Sequence, residues 1–166
     1  MNTPSPLSIA LAWTPAALWA GLIWQLGTDQ WSAHETSQLL LPLIEWLFPD
    51  LDLRSRFQLL LFLRKLAHPA VYGVLAALAF PAAAWTLRAA PGVLRPALAL
   101  APVAALAVSD EWRQSASPLR TGSAYDVLLD FAGGAAVILF ALVVERWAGR
   151  RLFGPTTPDG RADPVV

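Results

Sequence analysis

The 166-residue chain contains no cysteine. That excludes disulfides, thiolate metal sites and a cysteine nucleophile, and leaves the compartment open. Charge is scarce as well. Only 14% of residues are Asp, Glu, Lys or Arg, against about 25% in an ordinary soluble domain. Twelve basic and twelve acidic residues cancel, so no nucleic-acid partner is expected. The HExxH, GxSxG and P-loop patterns are also missing, which removes the recognised hydrolase and nucleotide motifs.

What the chain has is apolar length: 56% of residues are hydrophobic. A spanning helix needs about 20 mostly apolar residues. Residues 7–27 form the first such run, and a signal peptide is its weaker rival, because no basic segment precedes it. Pro69 to Leu87, Leu94 to Ser109 and Val127 to Val144 give three more. The expected fold is therefore all-α, a polytopic membrane bundle of four transmembrane helices occupying residues 1–153. A disordered cytoplasmic tail is expected at 154–166, where Pro155, Pro158, Gly160 and Pro164 gather. Between spans 1 and 2, Ser32 to Phe48 and Leu53 to Leu66 each place leucines on one helical face. They read as one or two interfacial amphipathic helices. Arg95 is placed to snorkel at a span end, and Glu145 reads as solvated. Tryptophans near the runs suit interface anchoring. Gly133-Gly134 gives the fourth span a small-residue face for close contact, within the chain or in a homo-oligomer.

Four spans put both termini on one side. Arg88, Arg95, Arg146, Arg150 and Arg151 mark that side as cytoplasmic by the positive-inside rule, although Arg54, Arg56, Arg64, Lys65, Arg113 and Arg120 vote the other way. The start of span 2, the end of span 3 and the start of span 4 then share one membrane face. Charge collects there. Lys65, His68 and Tyr72 follow a helical stripe, while Asp110 and Gln114, and Asp126 and Asp130, lie one turn apart. A charge in a bilayer costs several kcal/mol unless paired or wetted, so the cluster is a candidate site. The plainer reading is structural pairing of Lys65 and Arg120 with these carboxylates. If the groups converge on a cavity, His68 becomes a candidate acid or base beside a carboxylate, with Glu111 and Asp126 as companions. Asp and Glu with one His also suit a divalent ion in principle, but no metal and no cofactor is called for. His34, alone in an amphipathic segment, reads as surface or interfacial.

Arg64-Lys65-Leu66-Ala67-His68 followed by Tyr72 resembles the first signature of the VanZ-like family. Asp110-Glu111, Gln114, Pro118, Arg120, Asp126, Asp130 and Gly133-Gly134 resemble its second. The serine-spaced stretch Ser32 to Ser37 fits too. The resemblance covers roughly residues 20–145. Two positions depart from the pattern. Val71 stands where many members have an acid, leaving Glu111 as the acid able to replace it, and Pro69 follows the histidine. The resemblance implies a small multi-pass bacterial membrane protein, linked through the family's founding association to teicoplanin resistance.

The expected ligand-binding set is Lys65, His68, Tyr72, Asp110, Glu111, Gln114, Arg120, Asp126 and Asp130. The first functional expectation is an inner-membrane protein whose outward-facing cluster binds a lipid headgroup or a lipid-tailed glycopeptide. A membrane-embedded enzyme acting on a lipid or cell-wall precursor, with His68 as acid or base, is the alternative. An ion- or proton-coupled transporter using Asp130 ranks third. Membrane lipids are the expected partners.

Overall fold

A computed structural model describes residues 4–28, 33–88, 92–115, 123–149 and 153, save for the side chains of 33–36 and 39. Arg120, the tail at 154–166 and the His34 side chain therefore lie outside the described residues. The described elements are five helices in the order α1 (Pro6–Leu26), α2 (Ala33–Leu47), α3 (Leu53–Thr86), α4 (Leu94–Ser115) and α5 (Ala124–Ala148), with no strand among the described residues.

Local chemistry sets several helix ends. Ser5 caps α1 through its side chain, and Pro6 opens the helix where its missing N–H costs nothing. Asp52 caps α3 by accepting from the Ser55 N–H at 3.0 Å, and these Ser55 bonds hold its carboxyl below the usual range. Ser123 caps α5 by accepting from the Tyr125 N–H. Gly149 ends α5 at φ 62°, a left-handed position that disfavours a Cβ.

α3 is the hub, packing against all four other helices. Trp13 Nε1 donates to Thr86 Oγ1 at 3.0 Å, and Trp19 Nε1 donates to the Val71 carbonyl at 2.9 Å, so α1 runs antiparallel to α3. Arg95 at the head of α4 meets Glu145 at the foot of α5. The start of α1 and the end of α5 thus share one end of the bundle. The core is rich in alanine: Ala76, Ala79 and Ala83 of α3 share one buried cluster with Ala99 and Ala107 of α4. Small side chains let these backbones approach closely.

The described helices differ from the expected span pattern in two ways. Among the described residues three helices, α1, α3 and α5, are long and apolar enough to cross a membrane. α4 falls short because Arg95, Asp110, Glu111 and Arg113 leave only residues 96–109 uncharged. Second, the amphipathic piece Leu53 to Leu66 is not a separate helix. It continues through Pro69 into the apolar run as one helix of 34 residues. At 1.5 Å per residue α3 is about 51 Å long, against a hydrocarbon layer of about 30 Å. Its first turns must therefore extend beyond that layer. α2 packs there, fixed where Arg56 Nη1 donates to Glu45 Oε1 at 2.6 Å and Nη2 to the Pro49 carbonyl at 2.8 Å.

Arg95 does not snorkel and Glu145 is not solvated. They are 4% and 1% exposed and form a buried pair, Nη2 to Oε2 at 3.0 Å and Nη1 to Oε1 at 3.4 Å. Each charge answers the other, so neither has to reach water.

Candidate functional site

A cavity of about 210 Å³ opens between α1, α3 and α4. α1 contributes Ile23, Leu26 and Gly27 to its wall. α3 contributes Arg64, Ala67, His68, Val71 and Tyr72, and α4 contributes Asp110 and Gln114. Arg64, His68 and Tyr72 are four residues apart, so consecutive turns of one helix face carry a guanidinium, an imidazole and a phenol. The spacing had suggested Lys65 as the cation of this stripe. Lys65 is exposed and does not line the cavity; its neighbour Arg64 does.

Asp110 is buried, and both its oxygens accept hydrogen bonds. Arg113 Nη2 donates to Oδ1, and Gln114 Nε2 donates to Oδ2 at 2.7 Å. Arg113 also donates from Nη1 to the Trp24 carbonyl at 2.9 Å and stacks 4.2 Å from the Trp24 ring centroid. The α1 end thereby grips the charged pair. Gly27 leaves room for this approach: a Cβ there would overlap the Arg113 guanidinium and the Asp110 carboxylate as they stand, and both side chains would have to shift. Arg113, Trp24 and Gly27 were not read as site residues. Arg113 lies one turn after Asp110, which was the available signal; the α1 residues carry none.

On the other side of α3, His68 Nδ1 lies 3.2 Å from Asp130 Oδ1. Asp130 is buried, while the His68 side chain is 38% exposed. Nε2 is left as the nitrogen not engaged by Asp130. An imidazole held this way is oriented for proton exchange or for donation to an anion. The close approach of α3 and α5 depends on Gly133. A Cβ at Gly133 would sit 2.6 Å from Pro69 Cα, and one at Gly134 would sit 2.9 Å from Val103 Cγ1. The Gly133-Gly134 face, read as suited to close contact within the chain or in a homo-oligomer, makes such a contact inside the chain.

Glu111 and Asp126 do not line the cavity. Glu111 accepts from the Ser123 backbone N–H and so ties the end of α4 to the cap of α5. Asp126 is half-buried in the first turn of α5, where the helix dipole favours an acid. Among the described residues no group of three or more His, Asp or Glu could hold a metal ion. The structure thus brings His68, Tyr72, Asp110 and Gln114 to one cavity, with Asp130 behind His68.

A family model for VanZ/LLP1 matches residues 12–145, which contain every residue of this cavity. No curated protein and no solved structure matches the chain. The chain belongs to the VanZ/LLP1 family.

Proposed function

We propose that this VanZ/LLP1 protein binds the polar head of a lipid or of a lipid-tailed glycopeptide, with α4 as the fourth helix of a multi-pass inner-membrane bundle. The observation that carries the reading is the composition of the cavity wall. Arg64, His68, Tyr72, Asp110 and Gln114 supply a polar half, and Ile23, Leu26, Ala67 and Val71 an apolar one. Ligand pockets combine a mostly apolar lining with a few convergent polar groups. A head anchored by charge and a tail lying along apolar helices fit that division. α4 can enter the bilayer because Glu145 masks Arg95, which lowers the cost of its one charge near the head of the helix.

The reading places both termini in the cytoplasm and the cavity at the outward face, where a glycopeptide such as teicoplanin would be met. The resistance link rests on that sidedness. Ser115 is exposed at the end of α4, beside the cavity. In the cysteine-free chain, Ser115→Cys provides a single thiol. It is expected to react with a membrane-impermeant maleimide in intact cells that express the protein stably. Reaction only after lysis would place the cavity inside and remove the outward glycopeptide reading.

A further inference from the structure

Two members of the cavity wall also reach the outside of the bundle. Leu26 of α1 and Ala67 of α3 are exposed, and both line the cavity. They border the seam between α1 and α3 from its two sides. One turn beyond Ala67, the Trp19 indole donates to the Val71 carbonyl and closes that seam. The seam between α1 and α4 is closed at cavity level by Arg113, which donates to the Trp24 carbonyl and stacks on its ring. The gap at Leu26 and Ala67 is left as a mouth with an apolar side chain on each helix.

The surface outside this mouth is apolar too. Leu22 precedes Leu26 by one turn, and Ala70 and Val74 follow Ala67 by three and seven residues, so each helix carries an apolar stripe away from the mouth. All three residues are exposed. Because α1 and α3 are antiparallel, the two stripes run side by side toward the Trp13–Thr86 end. Both helices are long and apolar enough to cross a membrane. Apolar surface there costs free energy against water and none against acyl chains. Inside the mouth the wall changes character. Half-buried His68 follows Ala67, and Tyr72 and Asp110 are buried. Polarity therefore rises from the outer surface inward, the order that a bilayer-dissolved amphiphile presents when its head enters first. We propose that the gap between Leu26 and Ala67 is a lateral portal, through which the cavity takes its occupant from the bilayer and leaves an acyl chain in the groove of Leu22, Ala70 and Val74. This rests on the headgroup-binding reading above and adds the route and the tail site, neither of which a water-borne ligand would use.

In the cysteine-free full chain, Val71→Cys places a single thiol in the cavity wall. The variant is reconstituted in dioleoylphosphatidylcholine vesicles. It is treated with neutral N-phenylmaleimide, or with permanently charged maleimides (a sulfonate and a quaternary ammonium) present on both sides of the membrane. Leu139→Cys, exposed on α5, gives the reference rate for the lipid phase, and Ser115→Cys, exposed at the end of α4, that for water. After this scaling the Val71→Cys thiol is expected to react about a hundredfold faster with the neutral reagent, because a charge entering through the bilayer is strongly disfavoured. Ala67→Trp, which narrows the mouth from an exposed position, is expected to slow that reaction about tenfold, the order of an overpacking penalty. The Leu139→Cys rate should not change. Charged reagents of both signs reacting as fast as the neutral one would show a water-filled entrance and overturn the portal. An Ala67→Trp variant that reacts like its parent would overturn the Leu26–Ala67 gap as the route. In mild detergent, dioleoylphosphatidylglycerol, dioleoylphosphatidylethanolamine and dioleoylglycerol then compete with the neutral reagent. Stronger protection by either phospholipid than by dioleoylglycerol supports a head inside the cavity. If the charged reagents are fast and a phospholipid still protects best, the portal falls and the headgroup reading stands. If the neutral reagent alone is fast and all three lipids protect equally, the portal stands and the headgroup reading falls.

Discussion

Arg95→Leu is expected to cost about 3–5 kcal/mol of stability, the usual effect of removing one partner from a buried ion pair. The variant would leave the Glu145 carboxylate, 1% exposed, without the guanidinium that lies 3.0 Å away. It would also remove the donor to the Phe153 carbonyl at 3.4 Å and the cation 5.5 Å from the Phe80 ring centroid. Adding Glu145→Leu should recover most of the loss, because an apolar pair of similar volume often replaces a buried ion pair at no net cost. Intrinsic tryptophan fluorescence during thermal unfolding in detergent would follow both variants. Equal losses in the single and double variants would show that the two charges are not coupled, and that the end of the bundle is held by packing alone.

Gly133→Ala and Gly21→Ala should move stability in opposite directions. Both residues lie inside helices, where alanine is favoured over glycine by about 1 kcal/mol. At Gly21 a Cβ meets nothing within 4 Å, so that gain is expected in full. At Gly133 it would lie 2.6 Å and 2.7 Å from Pro69 Cα and C, backbone atoms that cannot swing aside. Overpacking typically costs about 1–3 kcal/mol, and contact with backbone belongs at the upper end, so the loss outweighs the gain. The helices must part, and the 3.2 Å approach of His68 to Asp130 opens with them. Gly133→Val should be worse than Gly133→Ala. The same thermal midpoints decide it: a Gly133→Ala variant as stable as Gly21→Ala would mean that α3 and α5 are not in close contact at this level.

The apolar runs made the helices legible, and alternating span direction made legible the meeting of His68, Tyr72, Asp110 and Gln114. Other features depended on packing that periodicity does not encode. Adjacent residues on a helix differ by about 100° in direction, so both Lys65 and Arg64 fit a stripe with His68. Only the position of α1 against α3 decides that Arg64 faces the cavity. Pro69 suggested a break between an interfacial helix and a span, yet α3 continues through it. Arg95 and Glu145 are 50 residues apart and at the ends of different helices. Each alone reads as a charge seeking water, and only the antiparallel contact of α4 with α5 shows that they need each other. Trp24 and Gly27 belong to an uncharged run and gain their role from where Arg113 lands.

The most direct test of headgroup binding in this cavity is site-specific photocrosslinking to native membrane lipids. A benzoylphenylalanine is placed at Leu26, which lines the cavity, and separately at Leu139 of α5, which is 63% exposed and is not part of the cavity wall. After irradiation in membranes, the mass of each adduct identifies the lipid. At Leu139 the adducts should mirror the bulk composition. At Leu26 they should be enriched in one headgroup class over its share of the bulk, because the cavity wall there combines polar and apolar groups. Adducts at Leu26 that mirror the bulk as closely as those at Leu139 would contradict a selective headgroup site and leave the polar cluster as a helix-pairing device.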